Sequence, residues 1–218
     1  MVTEELSHRL QHRGACLCGG FLGGFALLEI AGTLGNAQTM NLIELVLALL
    51  GGDIRQVLLR LIAFALYFAA AMLFVWVRDV SPWSPKAVSL LITALAAVVL
   101  ALIADTAPTV VRLWPIFFAM SFQWNAFPGA YGYQSSSIFS TNNTRQVGLS
   151  VAEYLIGHDP QKLHKARFFL GSLLCFHIGV AVAWCAAHWL GRFAPLGVWP
   201  LLAIAALTLK TEPKEVPA

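Results

Sequence analysis

The chain has 218 residues, of which 58% are hydrophobic and only 11% are charged, and its formal net charge is +3. A soluble domain carries about 25% charged residues, so this chain has too few ions to hydrate a water-facing surface. The composition therefore predicts a membrane protein surrounded by the lipid bilayer, and the small net charge predicts no nucleic-acid partner.

Eight apolar elements follow one another, separated by loops that contain proline, glycine or charged residues. A helix needs about 20 apolar residues to cross ~30 Å of hydrocarbon at 1.5 Å per residue. In chain order the elements cover residues 15–33, 36–51, 57–77, 87–104, 110–127, 141–156, 168–190 and 196–209. We predict that residues 1–14 form a cytosolic N-terminal segment and residues 210–218 a cytosolic tail.

The second and sixth elements are short, and each begins with polar residues. The second opens at Asn36 with NAQTMN, and the sixth opens at Thr141 with TNNTRQ. Polar segments at membrane depth are tolerated where they are buried in protein or line water. The sequence therefore predicts an all-α polytopic fold with about six full transmembrane helices and two short, polar-headed half or re-entrant helices. Eight full spans are the alternative.

The two short elements also indicate an internal repeat. A shift of 105 positions places Thr39 on Thr144 and Gly52 on Gly157. We therefore divide a single membrane domain, residues 15–209, into repeats of about 15–104 and 110–209. Short polar-headed helices at matching positions of two halves are a sequence sign of a transporter binding site. Six spans would make the repeats inverted, and eight would make them parallel.

The distribution of Lys and Arg predicts the orientation. The six-span and eight-span arrangements both place the two termini and the basic loop at residues 162–167 on the side with more Lys and Arg. That side is the cytosol by the positive-inside rule. The prediction is a multi-pass protein of the bacterial inner membrane with both termini cytosolic.

Two stretches resemble the signatures of the YoaK-like bacterial membrane proteins, a family of unknown function. The first is GGFL at residues 19–22 followed by GNAQT-x-N at residues 35–41. The second is FAMSFQ-x-NA at residues 118–126 followed by Ser140, Thr141 and Thr144. The resemblance covers residues 16 to 205 approximately. It implies a multi-spanning inner-membrane protein that is often assumed to be a transporter.

This sequence departs from the resemblance at three places. The family commonly has Thr-Gly-Asn in both repeats, whereas this chain has TMN at residues 39–41 and TRQ at residues 144–146. Gly23 stands where an acidic residue is often found. We expect a divergent branch with an altered ligand or a lost activity.

Nine polar residues of the second, fifth and sixth elements are the candidate substrate-binding residues. A helix N-terminus presents unpaired N–H groups, and Asn or Thr there can cap the helix or contact an anion. Capping alone and capping with ligand contact both remain open. The nine are Asn36, Gln38, Thr39, Asn41, Gln123, Asn125, Thr141, Thr144 and Arg145.

Charged residues within the apolar elements are the second signal, because a charge at the centre of a membrane helix costs about 2.5–3.5 kcal/mol. Glu29, Glu44, Arg145 and Glu153 lie within or beside such elements. We predict that Glu29 and Arg145 form an ion pair or a coupling pair between the halves. An anionic ligand is the alternative partner of Arg145.

These observations favour a secondary transporter or permease of a small solute, with its site near the membrane midplane. The alternative is a structural or accessory membrane protein, and an intramembrane enzyme ranks third because no catalytic motif is present. No cofactor or metal is predicted. The spacing of Gly19 and Gly23 would permit a homodimer or close packing within the fold. A cavity touching both Thr39 and Thr144 would favour the transporter.

Overall fold

A computed structural model describes residues 2–30, 35–36 and 38–209 of the chain. The regular secondary structure of the described part is helical apart from one two-stranded hairpin, in which Gly129 pairs with Gln134 and Ala130 with Tyr133. The all-α prediction is thus confirmed. In chain order the elements are α1 (Val2–Glu29), α2 (Gln38–Leu50), α3 (Ile54–Asp79), α4 (Pro85–Leu102), α5 (Thr109–Ala126), β1 (Gly129–Ala130), β2 (Tyr133–Gln134), α6 (Thr141–Gly157), α7 (Pro160–Leu190), a 3-10 helix (Gly191–Val198) and α8 (Trp199–Leu209).

Two helices begin earlier than hydropathy predicts. α1 includes residues 4–14, where Glu4 and Glu5 lie in the first turn and favour the positive end of the helix dipole. α7 begins at Pro160, where the Asp159 side chain caps the helix by accepting a hydrogen bond from the Gln161 N–H at 2.8 Å. Caps and first-turn charges start these helices, whereas hydropathy detects only their apolar parts.

Within the described ranges, three segments are long and apolar enough to cross a membrane. They are Ile54–Asp79, Pro85–Leu102 and Pro160–Leu209. On α3, Phe68 and Met72 are 57% and 61% exposed, as expected for side chains that face lipid. The composition and these helices identify a helical membrane protein.

α1 lies at the centre of the bundle and runs parallel to α7. Gly20 faces Phe176 and Gly24 faces Val180, and a Cβ added at Gly20 would overlap the Phe176 carbonyl oxygen. Small residues allow two helix backbones to approach closely. The glycines of α1 are therefore used within the chain, and the homodimer remains a prediction.

Contacts at the two ends of the bundle give the helix directions. Near the start of α1, Gln11 accepts from Lys86 of α4 at 2.7 Å and donates to the Thr208 carbonyl of α8 at 3.3 Å. We call this the N-terminal end. At the opposite end, Arg112 of α5 donates to the Glu29 carbonyl at 3.0 Å, and Arg192 reaches the Ala101 carbonyl of α4. α1, α4 and α7 therefore run toward the opposite end, and α5 and α8 run back.

α3 runs parallel to α5. The Trp114 indole donates to the Leu59 carbonyl at 3.3 Å, and the Ser121 hydroxyl donates to the Tyr67 carbonyl at 2.7 Å. Because α5 begins at the opposite end, α3 begins there too.

The two short helices begin inside the bundle. Asn36, two residues before α2, lies beside Gly19 near the middle of α1, and α2 leads to the start of α3 at the opposite end. Ile138, three residues before α6, lies beside Asn36, and α6 leads to the start of α7 at the N-terminal end. We call residues 35–36 the first inner tip and residues 137–140 the second inner tip.

Candidate functional site

The two inner tips touch through the side chain of Asn36. Its amide nitrogen donates to the Gly19 carbonyl at 2.9 Å and to the Ile138 carbonyl at 2.7 Å, and Asn36 is only 2% exposed. The contact joins the residue that opens the second element to a residue three positions before the sixth, whereas Thr39, Thr141 and Thr144 are exposed and take no part in it.

Gln123 of α5 lies in the same region and is fully buried. Its amide nitrogen donates to the Ala15 carbonyl at 3.0 Å and to the Ser137 hydroxyl at 3.3 Å. The side-chain oxygens of Gln123 and Asn36 are buried and accept no hydrogen bond from any residue that the structure describes. An unsatisfied buried acceptor costs about 1–3 kcal/mol, so these two oxygens are natural positions for a bound water or a ligand donor.

The other predicted residues of α2 point elsewhere. The Asn41 amide donates to Gln38 at 2.8 Å and to the Arg60 carbonyl at 3.1 Å, which ties α2 to α3. Arg60 also forms a salt bridge with Glu44. Thr39 is exposed. Of the residues predicted in α2 and at its start, Asn36 alone lies at the inner tips.

The predicted residues of α6 face outward. Thr141, Thr144 and Arg145 are all exposed, and the Thr144 hydroxyl donates to the Ser140 carbonyl at 3.1 Å. The Ser140 side chain at the N-cap position makes no capping hydrogen bond to α6.

Asn143, which the sequence analysis missed, is one of the two buried polar residues of α6. Its oxygen accepts from the Ser136 N–H at 3.2 Å and from the Ser135 hydroxyl at 3.1 Å, and its nitrogen donates to the Ser136 carbonyl at 2.8 Å. Asn143 and Ser150 are the two buried residues of α6 and lie seven positions apart, which is two helical turns. That spacing is the signal that could have identified it.

Glu29 and Arg145 do not form the predicted pair. Glu29 is exposed at the opposite end of α1, whereas α6 runs from the middle of the bundle to the N-terminal end. Among the described residues no salt bridge joins the two. Each short helix instead forms a salt bridge with the long helix that follows it. Glu44 of α2 pairs with Arg60 of α3, and Glu153 of α6 pairs with Lys162 of α7 at 2.7 Å.

A cavity of about 510 Å³ lies between α3, α5 and the segment that leads to α6. The Trp124 and Phe139 rings meet edge to face at one side, with centroids 5.1 Å apart. The lining combines hydroxyls, amides and aromatic rings, and it contains no charged side chain. The lining residues are Tyr67, Ala71, Ser121, Trp124, Asn125, Pro128, Gln134, Ser135, Ser136, Phe139 and Asn142.

Asn125 is the one predicted site residue that lines this cavity, and its amide nitrogen donates to the Ser121 carbonyl at 2.8 Å. A second cavity of about 240 Å³ lies at the opposite end, between Glu29, Arg112 and Arg192. Neither cavity is lined by Thr39 or Thr144. The larger cavity is therefore the candidate site, and it lies beside the inner tips instead of between the two threonines.

Comparison with known proteins gives one match. The model of a family described as "Protein of unknown function (DUF1275)" matches residues 13–209. The resemblance to the YoaK-like proteins is confirmed, since these belong to that family. No curated protein and no solved structure matches the chain.

Proposed function

We propose a function from the structure, on the premise that the chain belongs to the DUF1275 family, which is described only as proteins of unknown function. The function is that of a secondary transporter or permease for a small solute. The observation that carries it is the cavity of about 510 Å³, lined by polar and aromatic side chains, beside the contact of the two inner tips. Transporters that are built from repeats bind their substrates beside such interrupted helices.

The proposed architecture has six membrane crossings and two re-entrant helices. The helix directions alternate through α1, α3, α4, α5, α7 and finally the 3-10 helix with α8. α2 returns to the opposite end and α6 to the N-terminal end, so the two halves fit an inverted repeat with a two-fold axis in the membrane plane. Eight crossings would require α2 and α6 to run through the whole bundle, which the position of their inner tips does not support.

The proposed orientation places both termini in the cytosol of a bacterial cell. Arg9, Arg13, Lys162, Lys165 and Arg167 all belong to the N-terminal ends of α1 and α7. Basic residues concentrate on the cytosolic side of inner-membrane proteins. We propose no enzymatic activity, no cofactor and no nucleic-acid partner.

The lining suggests the chemistry of the solute. Tyr67, Trp124 and Phe139 offer apolar and aromatic surface, and Asn125 and Ser136 offer hydrogen-bonding groups. Ligand pockets typically combine an apolar lining with a few placed polar groups that fix the orientation of the ligand. A compact solute with one polar end fits this combination.

Filling the cavity tests the proposal. Ala71 lines the cavity on α3, and Ala69 is exposed on the same helix. We expect Ala71→Phe to abolish solute uptake into proteoliposomes and solute-induced thermal stabilisation, whereas Ala69→Phe retains both. Uptake that survives Ala71→Phe unchanged would contradict the assignment of this cavity.

The hydrogen bonds of Asn36 and Asn143 favour one second candidate, a structural or accessory membrane protein. Both side chains bind the protein's own backbone, and neither cavity reaches Thr39 or Thr144. In that case no solute would stabilise the protein, and Ala71→Phe would have no effect on its cellular role. The same pair of variants therefore separates the two candidates.

A further inference from the structure

His12 of α1 is 1% exposed and belongs to a chain of polar contacts that ends at the cavity wall. Its Nδ1 lies 3.0 Å from the Phe127 carbonyl oxygen, and its Nε2 lies 2.8 Å from the Ser135 hydroxyl oxygen. That hydroxyl lies 3.1 Å from the Asn143 side-chain oxygen, and Ser135 lines the cavity. The imidazole is therefore one hydroxyl group away from the candidate solute.

Both ends of this chain are hydrogen-bond acceptors. The Phe127 carbonyl can only accept. The Asn143 amide is oriented by Ser136, whose N–H donates to the Asn143 oxygen and whose carbonyl accepts from the Asn143 nitrogen. The network thus fixes which Asn143 atom faces Ser135, and that atom is the oxygen.

The three contacts of the chain need three protons, one for each. A neutral imidazole and a hydroxyl supply two. The Cys16 sulfur lies 3.5 Å from Nε2. If the thiol donated its proton to Nε2, the contact between Nε2 and the Ser135 oxygen would still contain no proton. Only an imidazolium, which donates from both nitrogens, completes the chain.

No carboxylate in the part of the chain that the structure describes contacts the His12 imidazole; Glu5, two helical turns earlier, accepts instead from the Tyr131 N–H at 2.7 Å. The charged residue next to His12 in the chain is the cation Arg13. The groups that face the imidazole from the surrounding elements are Arg13, Cys16, Phe127, Ser135 and the ring of Phe168, behind which lie Tyr131, Tyr133 and His164. A buried charge is stable only when it is paired, and the cavity that Ser135 lines offers room for such an anion beside the chain.

We propose that the cavity binds a small monocarboxylate together with one proton, and that His12 holds the proton. The proton adds to the Nε2 lone pair, no covalent bond is broken, and the occupied site gains no net charge. This inference rests on the proposed transport function and names its substrate class. The carboxylate binds among Ser and Asn groups, and its apolar part lies against Trp124 and Phe139.

Thermodynamic linkage gives the pH dependence. If the anion favours the protonated imidazole, the protonated imidazole favours the anion by the same factor. Carboxylate affinity should therefore fall about tenfold for each unit of pH increase, in the range where the free site is neutral. A neutral solute of the same shape should show no such dependence.

Calorimetry of the purified full-length protein tests the inference. We would titrate it with acetate and benzoate, and with the matched neutral amides acetamide and benzamide, in two buffers of different ionisation enthalpy. The difference between buffers gives the number of protons taken up. We expect carboxylate binding with uptake of close to one proton per site, and binding of the amides at least tenfold weaker below pH 6.

Variants locate the proton. His12→Asn keeps a donor toward the Phe127 carbonyl and removes the titrating group, so proton uptake should be lost. His188→Asn, at an exposed position near the end of α7, is the matched control and should retain it. Ser135→Ala, which breaks the link between His12 and the cavity, should weaken proton uptake in the same way and serves if His12→Asn fails to fold.

The outcomes separate this inference from the proposed function. Carboxylate binding without proton uptake, or amides that bind as tightly as carboxylates, would overturn the role of His12. If no carboxylate binds while another solute does so in an Ala71-dependent manner, the substrate class is wrong and the cavity assignment stands. If no solute binds at all, the transport function itself fails.

Discussion

Asn36 holds the two inner tips together with a single amide group. It donates two hydrogen bonds to backbone carbonyls from different parts of the chain, and both carbonyls are remote from water. Buried hydrogen bonds of this kind contribute to stability mainly through the free energy lost when they are broken. A buried carbonyl without a donor has given up its hydrogen bonds to water and receives none from the protein. The residue is thus a structural link beside the candidate site.

Replacing Asn36 with Ala should lower the free energy of unfolding by about 1–3 kcal/mol, because its buried hydrogen bonds to the Gly19 and Ile138 carbonyls are lost. Thermal unfolding in detergent would measure the change. Thr39→Ala and Arg145→Ala are the controls, since both side chains are exposed and such surface changes usually stay within about 0.5 kcal/mol. If either control lowered the free energy of unfolding as much as Asn36→Ala, the outward-facing positions would contribute as much to stability as Asn36 does.

Residue types predicted the candidate site only in part. Of the predicted residues, Asn36 lies at the inner tips and Asn125 lines the cavity. Thr141, Thr144 and Arg145 were selected by their position in a polar cluster, yet a helix turns 100° per residue and places Asn143 inward instead. The His12 chain could not be predicted, because its partners come from four separate segments.

At the scale of elements, hydropathy predicted α3 and α4 well and α1 poorly. The first two expose apolar side chains, so their lengths follow from composition. α1 is enclosed by other helices and can bury polar residues such as Ser7, Gln11 and His12 inside protein. The hairpin at Gly129–Gln134 was also missed, since two-residue strands are too short to produce a periodic pattern.

The packing of α1 on α7 makes opposite predictions for two glycines. Gly20→Ala should destabilise the protein by about 1–3 kcal/mol, because the new methyl group meets the Phe176 backbone and forces the helices apart. Gly148→Ala is the matched control on α6, where nothing lies within 4 Å of the added carbon. There alanine should stabilise the helix by up to about 1 kcal/mol. Equal effects of the two changes on thermal unfolding would refute the close helix contact.

At the scale of the whole molecule, the number of crossings decides how the halves are related. The six-crossing arrangement places the start of α3 outside the cytosol, and eight crossings place it inside. Both arrangements leave the end of α6 in the cytosol. One exposed position on each segment is therefore enough to distinguish them.

Ile54→Cys and Ile156→Cys supply that pair, since both isoleucines are exposed, at 62% and 85%. In whole cells we expect a membrane-impermeant thiol reagent to label Cys at position 54 and to spare Cys at position 156. Unsubstituted protein gives the background from its four native cysteines. Labelling of position 156 alone would reverse the orientation, and protection of both would support eight crossings.

The contact between Asn36 and Ile138 has a consequence for biosynthesis. The two residues are 102 positions apart, and chains grow at about 5–20 residues per second, so roughly 5–20 s separate the appearance of the amide from that of its acceptor. Throughout that interval the Asn36 amide lacks one of its two acceptors, and α1 also lacks the α7 surface against which its glycines pack. The first half therefore cannot reach its final packing as it emerges from the ribosome. Lipid, water or the insertion machinery must contact its polar and small residues until the second half has been synthesised.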